Sequence, residues 1–333
     1  MFVRLIGSAL IFIFVNTAAW AEAAAEGGNY GVRSDVAEYV QSVATEHGFS
    51  ADELKALLSA VEFRSDIIER ISKPAEKVWT WGRYKRHLVD EQRIAEGAVF
   101  WAEHAQTIER AAQTFAVAPE IIVAILGIET RYGRITGTYP VLESLMTLGF
   151  DYPPRAAFFR KELTEFLVLA REEGKDPTTV TGSYAGAMGY GQFISSSYRH
   201  YAVDFDDDGV RDIWANPVDA IGSIANYFHR HRWQGEQPRA VQVELERPID
   251  SVYLDNGLDQ TLTVADYAKL GVRINGLPES LPAKLYEVIG DDGPEYWLAL
   301  HDFYVITRYN RSHLYALAVH HLADLIKARY AAG

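Results

Sequence analysis

At 333 residues the chain is long enough for a sizeable core, and its 48% hydrophobic and 23% charged residues place it with globular rather than disordered proteins. A formal charge of −13 excludes nucleic acid as the main partner, because phosphate recognition needs a basic footprint, and offers nothing to an anionic membrane surface. There is no cysteine, which rules out disulfides, a thiolate nucleophile and a lipid-bearing cysteine.

The N-terminus carries Arg4, an apolar run from Leu5 to Val15 and the small-x-small triplet Ala19-Trp20-Ala21. This is the pattern of a signal peptide spanning residues 1–21, and the run is about half the ~20 residues that a membrane span requires. Losing Arg4 with the leader takes the net charge from −13 to −14. The expectation is an exported, soluble, periplasmic protein with no membrane anchor in its mature chain. Residues 22–34, rich in Ala and Gly, are expected to form a disordered linker.

From Asp35 the pattern is helical, with Val36, Val40 and Val43 on one face, and Ser50-x-x-Glu53 is a capping box opening a helix to about Val61. The aromatic and basic segment Val78–Tyr84 is expected in a loop; Trp81 and Tyr84 are candidate sugar platforms, with a satellite core as the alternative. Residues 90–116 predict one long amphipathic helix containing Phe100, Trp101 and Ile108. Next comes the segment from Pro119 to Gly133, where proline suits a first helical turn and glycine a stop. Ile121, Ile122, Val123, Ile125, Leu126 and Ile128 run nearly all the way round this helix, so it should be buried. Glu129 stands at its end. A carboxyl leaving a dry core has its charged form disfavoured, which suits a general acid, whereas an ion pair with Arg131 or Arg134 is the structural alternative.

Arg155 to Glu173 is again helical. Gly182 to Phe193 holds four glycines among twelve residues, too many for a regular helix, and its Ser183, Tyr190 and Gln192 are placed to line a groove. Asp204 to Asp212 has five aspartates among nine residues and a glycine at the sixth position, like the front half of an EF-hand loop. The twelfth position is Ala215 rather than glutamate, so Asp219 is the candidate final ligand, on a helix capped by Asn216 and opened by Pro217. Beyond Gln237, alternation in Ala240–Glu246, a turn at Asp255–Gly257, and short strands at Lys284–Ile289 and Tyr296–Leu300 predict a small β-containing unit. A last helix runs to Arg329.

The segments Glu129-Thr-Arg-Tyr-Gly133, Gly186-Ala-Met-Gly-Tyr-Gly-Gln-Phe193, the acidic loop, Asn216-Pro-Val-Asp-Ala-Ile-Gly-Ser223 and Thr307-Arg-Tyr-Asn310 occur in this order. With them the chain resembles the lytic murein transglycosylase B family from about residue 30 to its C-terminus. The resemblance implies a mainly α (α+β) fold: a lysozyme-like core at about 118–235 with an EF-hand-like loop at 204–219, an additional helical domain, a small β-containing subdomain at about 237–300, and a C-terminal helix packing back on the core. It implies non-hydrolytic cleavage of the MurNAc–GlcNAc β-1,4 bond of peptidoglycan, leaving a 1,6-anhydro-MurNAc end, with Glu129 as sole acid and then base.

The same resemblance gives Ser183 and Gln192 the acetamido sugars, lines the groove with Tyr84, Tyr190, Tyr227, Tyr309 and Tyr315, and sets Asn310 and Arg155 against glycan or peptide. Asp204, Asp206, Asp208, the Val210 backbone oxygen and Asp219 match a structural calcium site, and no organic cofactor is implied. Glycan strands are the implied partner, with cell-wall synthesis or remodelling proteins as further candidates. Two positions depart from the family: Asp219 lies one residue further along than the loop's last ligand, and Pro154 replaces the first of an arginine pair, which predicts weaker peptide contacts. The rival readings are a hydrolytic muramidase, for which Asp151 is the nearest base, and a calcium-dependent glycan-binding protein without turnover.

Overall fold

The computed structural model describes residues 28–72, 79–254 and 257–333. The signal peptide, the start of the linker, Val78 and most of the turn at 255–257 lie outside the described residues. The first helices are α1 (Ser34–His47), α2 (Ala51–Ser59), α3 (Ser65–Ile71), α4 (Trp81–Leu88), α5 (Glu91–Glu103) and α6 (Ala105–Phe115). The central set is α7 (Pro119–Thr130), α8 (Val141–Asp151), α9 (Ala156–Glu172), α10 (Ser195–Tyr201) and α11 (Pro217–Arg230), with a two-strand ribbon, β1 (Tyr139–Pro140) against β2 (Thr181–Gly182), crossing it.

Helix starts follow local chemistry. Ser50, Asp90 and Asn216 each accept a backbone N–H from the first turn they cap. α7 is buried on every side from Ile121 to Leu126, because it is the central rod against which α5, α6, α11 and the last helix pack.

A second unit follows, with β3 (Ala240–Leu245), α12 (Ser251–Leu254), β4 (Leu262–Thr263), α13 (Val264–Lys269), β5 (Val272–Arg273), β6 (Pro282–Ile289) and β7 (Pro294–Ala299). The strands form one antiparallel sheet in the order β4-β6-β7-β3-β5, with Trp297 opposite both Gln242 and Tyr286. Val243, Val264, Tyr267, Leu285 and Leu298 make a separate small core. The chain then returns through α14 (His301–Tyr309) and α15 (His313–Ala332), and α15 packs on α5 and α7. Among the described residues no single helix is long and apolar enough to cross a membrane.

Three expectations change. Residues 90–116 form two helices, broken at His104 (φ −113°, ψ 23°). The break lets Phe100 stack on Tyr132 and Trp101 on Tyr330, while Ile108 and Ala111 turn inward and α6 packs on α11. Trp81 is no sugar platform: it opens α4 and is 1% exposed. In the linker, the described part from Gly28 is folded, for Tyr30 is buried and its hydroxyl donates to Asp151 at 2.7 Å while Arg33 pairs with the same carboxylate.

Candidate active site and acidic loop

α7 stops at Thr130, three residues before the expected glycine, and Glu129 is its penultimate residue. The next three residues are all left-handed: Arg131 (φ 49°), Tyr132 (φ 61°) and Gly133 (φ 85°). For a residue with a side chain this costs on the order of 1–3 kcal/mol, and it persists where surrounding bonds over-determine it. Here Arg131 N donates to Gly127 O, Tyr132 N to Leu126 O at 3.0 Å, and Ile135 N to Thr130 O at 2.9 Å. The Tyr132 hydroxyl donates to Arg93 O at 2.7 Å, and buried Arg93 donates through Nε to Gly127 O at 3.0 Å. Gly133 is glycine because a Cβ there would fall 1.9 Å from the Tyr190 ring.

The arginines considered as ion-pair partners for Glu129 are drawn elsewhere: Arg131 to Asp90 at 3.1 Å, and Arg134 to Glu96 at 2.7 Å. Glu129 instead meets phenols. The Tyr315 hydroxyl donates to Glu129 Oε1 at 2.5 Å, and Tyr309 donates to Gly191 O. Burial, and after it the charge of Glu129, push both phenols well above the usual tyrosine range. Tyr84 is buried and close enough to add to the field at Tyr315. Tyr227 donates to Arg308 O at 2.6 Å and packs edge-on to Tyr309 at 4.7 Å, extending the same aromatic wall.

The glycine-rich loop closes over the end of α7. Thr130 Oγ1 donates to Tyr190 O at 2.8 Å. Ser183 Oγ accepts from Ala187 N at 3.0 Å and Ala185 N at 3.3 Å, and Gln192, itself left-handed, donates to Thr136 O and Gly189 O, each at 3.0 Å. Asn310 ends α14 next to Tyr309, its carbonyl accepting Ser312 N. Arg155 stands apart, exposed at the start of α9 with its guanidinium over Phe158 and Phe159. Arg93, Thr130 and Tyr132 hold the Glu129 turn and were missed by sequence reasoning; the only signal was the adjacency of Thr130 and Tyr132 to Glu129.

In the acidic loop, Asp204, Asp206 and Asp219 bring carboxylate oxygens within 4.8 Å of one another. Asp219 is fully buried and accepts Phe205 N and Asp212 N, both at 2.7 Å. Burial raises its pKa, the two N–H groups lower it, and Asp206 and Asp204 raise it further. The extra residue in the spacing therefore does not keep Asp219 out of the cluster. Asp208 does lie outside it, accepting Val210 N at 2.8 Å instead. The gathered donors are all hard oxygens, which suits calcium rather than a softer metal.

The model of the transglycosylase SLT domain matches residues 31–324. The chain belongs to this lytic transglycosylase family. It is 38% identical over 311 residues to membrane-bound lytic murein transglycosylase B of Escherichia coli K12, covering 90% of this chain and 84% of that one. The solved catenated lytic transglycosylase SltB1 of Pseudomonas aeruginosa is 45% identical with a TM-score of 0.86, covering 90% of this chain and 99% of that one. Escherichia coli Slt35 in complex with calcium is 36% identical with a TM-score of 0.82, over 92% and 96%. Pseudomonas aeruginosa SltB3 in complex with NAG-anhNAM-pentapeptide is 32% identical with a TM-score of 0.73, over 87% and 78%. This lytic transglycosylase is thus a mainly α enzyme with a lysozyme-like core that acts on peptidoglycan.

Proposed function

We propose that Glu129 is the sole acid and base of a non-hydrolytic cleavage of the MurNAc–GlcNAc bond. Glu129 gives its proton to the leaving O4 of GlcNAc as the bond to C1 of MurNAc breaks. The 2-acetamido oxygen of MurNAc stabilises the oxocarbenium-like centre, replacing the second carboxylate that most glycosidases need. The C6 hydroxyl of the same sugar then attacks C1, and Glu129 takes its proton. No water enters, and the product is the 1,6-anhydro end. Attack from within the sugar outcompetes solvent through proximity and orientation.

The observation that carries this reading is the setting of Glu129 at the end of a buried helix, held by the Tyr315 hydroxyl. Asp151, the base a hydrolytic muramidase would use, is engaged by Tyr30 and Arg33. SltB3 in complex with an anhydro-muramyl ligand supports the product assignment. Ser183, Tyr190, Gln192, Tyr309 and Asn310 line the glycan groove in this proposal, the buried Tyr84, Tyr227 and Tyr315 back its wall, and Arg155 reaches the stem peptide. Calcium would be held by Asp204, Asp206 and Asp219, with the Val210 carbonyl as a further donor and Asp208 shaping the loop through Val210 N, and its charge would offset the gathered carboxylates. The leader pattern supports a periplasmic location for the enzyme. Digesting purified sacculi and weighing the products tests the chemistry: anhydro ends lack one water, hydrolytic ends would overturn the mechanism, and the absence of release would leave only a binding protein.

A further inference from the structure

The geometry points to Thr130 as the positioning residue that fixes Glu129 against the loop that receives the sugars, an inference resting on the acid role proposed for Glu129. Thr130 follows Glu129 directly and is 1% exposed, so it touches no glycan and acts only through what it holds. Its hydroxyl has one proton and two lone pairs. Gly133 N donates to Oγ1 at 2.9 Å, closing the left-handed turn back onto the helix end. The hydroxyl proton has two carbonyls in reach, Leu126 O at 3.3 Å and Tyr190 O at 2.8 Å.

A purely structural threonine in a helix bonds back to the carbonyl four residues earlier. Here the shorter bond leaves the helix for the glycine-rich loop. The loop's other ties reach the acid less directly: Tyr190 N is taken by Ile213 O at 2.9 Å, Gln192 donates to Thr136 O, Tyr309 donates to Gly191 O, and the Tyr190 ring lies on Gly133. One hydroxyl therefore joins the acid's helix, the turn after it and the loop bearing Ser183, Tyr190 and Gln192. The consequence is a fixed separation between the Glu129 carboxyl and the bound glycosidic oxygen. A misplacement of about 1 Å costs on the order of 10²-fold in rate.

The test is steady-state kinetics of Thr130→Ala and Thr130→Ser on soluble, un-crosslinked glycan strands, with folding checked by thermal melting and Glu129→Gln measured alongside. Thr130→Ala is expected to lower kcat tenfold or more with KM within twofold, and Thr130→Ser, which keeps the hydroxyl, to stay within threefold of wild type. A folded Thr130→Ala with kcat within twofold of wild type overturns the inference, as does a loss carried mainly by KM. Should alanine not fold, serine decides: a tenfold loss of kcat there is equally fatal. An inactive Glu129→Gln beside a wild-type-like Thr130→Ala removes the positioning role alone, whereas an active Glu129→Gln removes the acid assignment beneath it.

Discussion

Glu129 and Asp219 are carboxylates at opposite ends of two buried helices, and the contrast explains why one is suited to move a proton and the other to hold an ion. Glu129 lies at the C-terminal end of α7, where the helix dipole gives an anion no help, and its neighbours are phenols. Asp219 lies in the first turn of α11, where two backbone N–H groups point at its oxygens, and its neighbours are Asp204 and Asp206. The first site sets neutral phenols around a single carboxylate, one of them, Tyr315, donating to it. The second collects carboxylates around a space that only a cation makes comfortable.

The sharpest way to break this contrast is Glu129→Gln, which keeps shape and removes the proton. Anhydro-product formation should fall by about 10³-fold, the usual size of a lost general acid, while the calcium-induced rise in Tm stays as in wild type. Product formation near the wild-type rate would sink the assignment. The reverse experiment uses Asp206→Ala. With calcium at about 100 times its Kd, the wild-type fold gains about 2.7 kcal/mol, visible as a higher Tm, and the variant should lose that gain. A wild-type protein whose Tm ignores calcium would remove the ion from the second site. A smaller effect sharpens the first: Tyr315→Phe deletes one hydrogen bond to the carboxylate, so kcat/KM should fall about tenfold, equivalent to ~1.4 kcal/mol. An unchanged kcat/KM would make Tyr315 a packing residue.

The two sites also differ in how far the sequence discloses them. The apolar run around α7, the proline at its start and the alternating aspartates are local patterns, so their elements could be placed from spacing alone. What escaped was set by tertiary contact. Arg131 and Tyr132 are ordinary residues forced left-handed by bonds from Gly127, Leu126 and Arg93, so the helix ends before the glycine that marks a stop in sequence. Tyr30 is folded within a composition that predicts a disordered linker because Asp151, 121 positions away, accepts its hydroxyl. Trp81 has the composition of a sugar platform, but its ring lies against His321. Asp208 matches the loop pattern yet turns to Val210, whereas Asp219 joins the cluster despite the longer spacing.

The smallest expected effect separates both carboxylate sites from the stability of the fold. His320 and His321 lie on α15 beneath Trp297, facing Arg239, Lys85 and Asp324. Burial, then Arg239, pushes His320 from the ordinary 6.5 down to about 4; burial, then its histidine neighbour, pushes His321 to about 3. A depressed histidine pKa means that the unfolded chain binds more protons between the two values. Its contribution is therefore fully present above pH 6.5 and declines as pH falls toward the folded-state value. Between pH 8 and pH 5.5 the wild type should lose about 1 kcal/mol through His320 alone, and His320→Gln should lose that much less, with shifts at the carboxylates cancelling in the difference. Identical pH slopes for the two proteins, measured by denaturant unfolding, would mean that His320 takes up its proton in the fold as readily as in the unfolded chain and that α15 is not held to the sheet by a neutral imidazole.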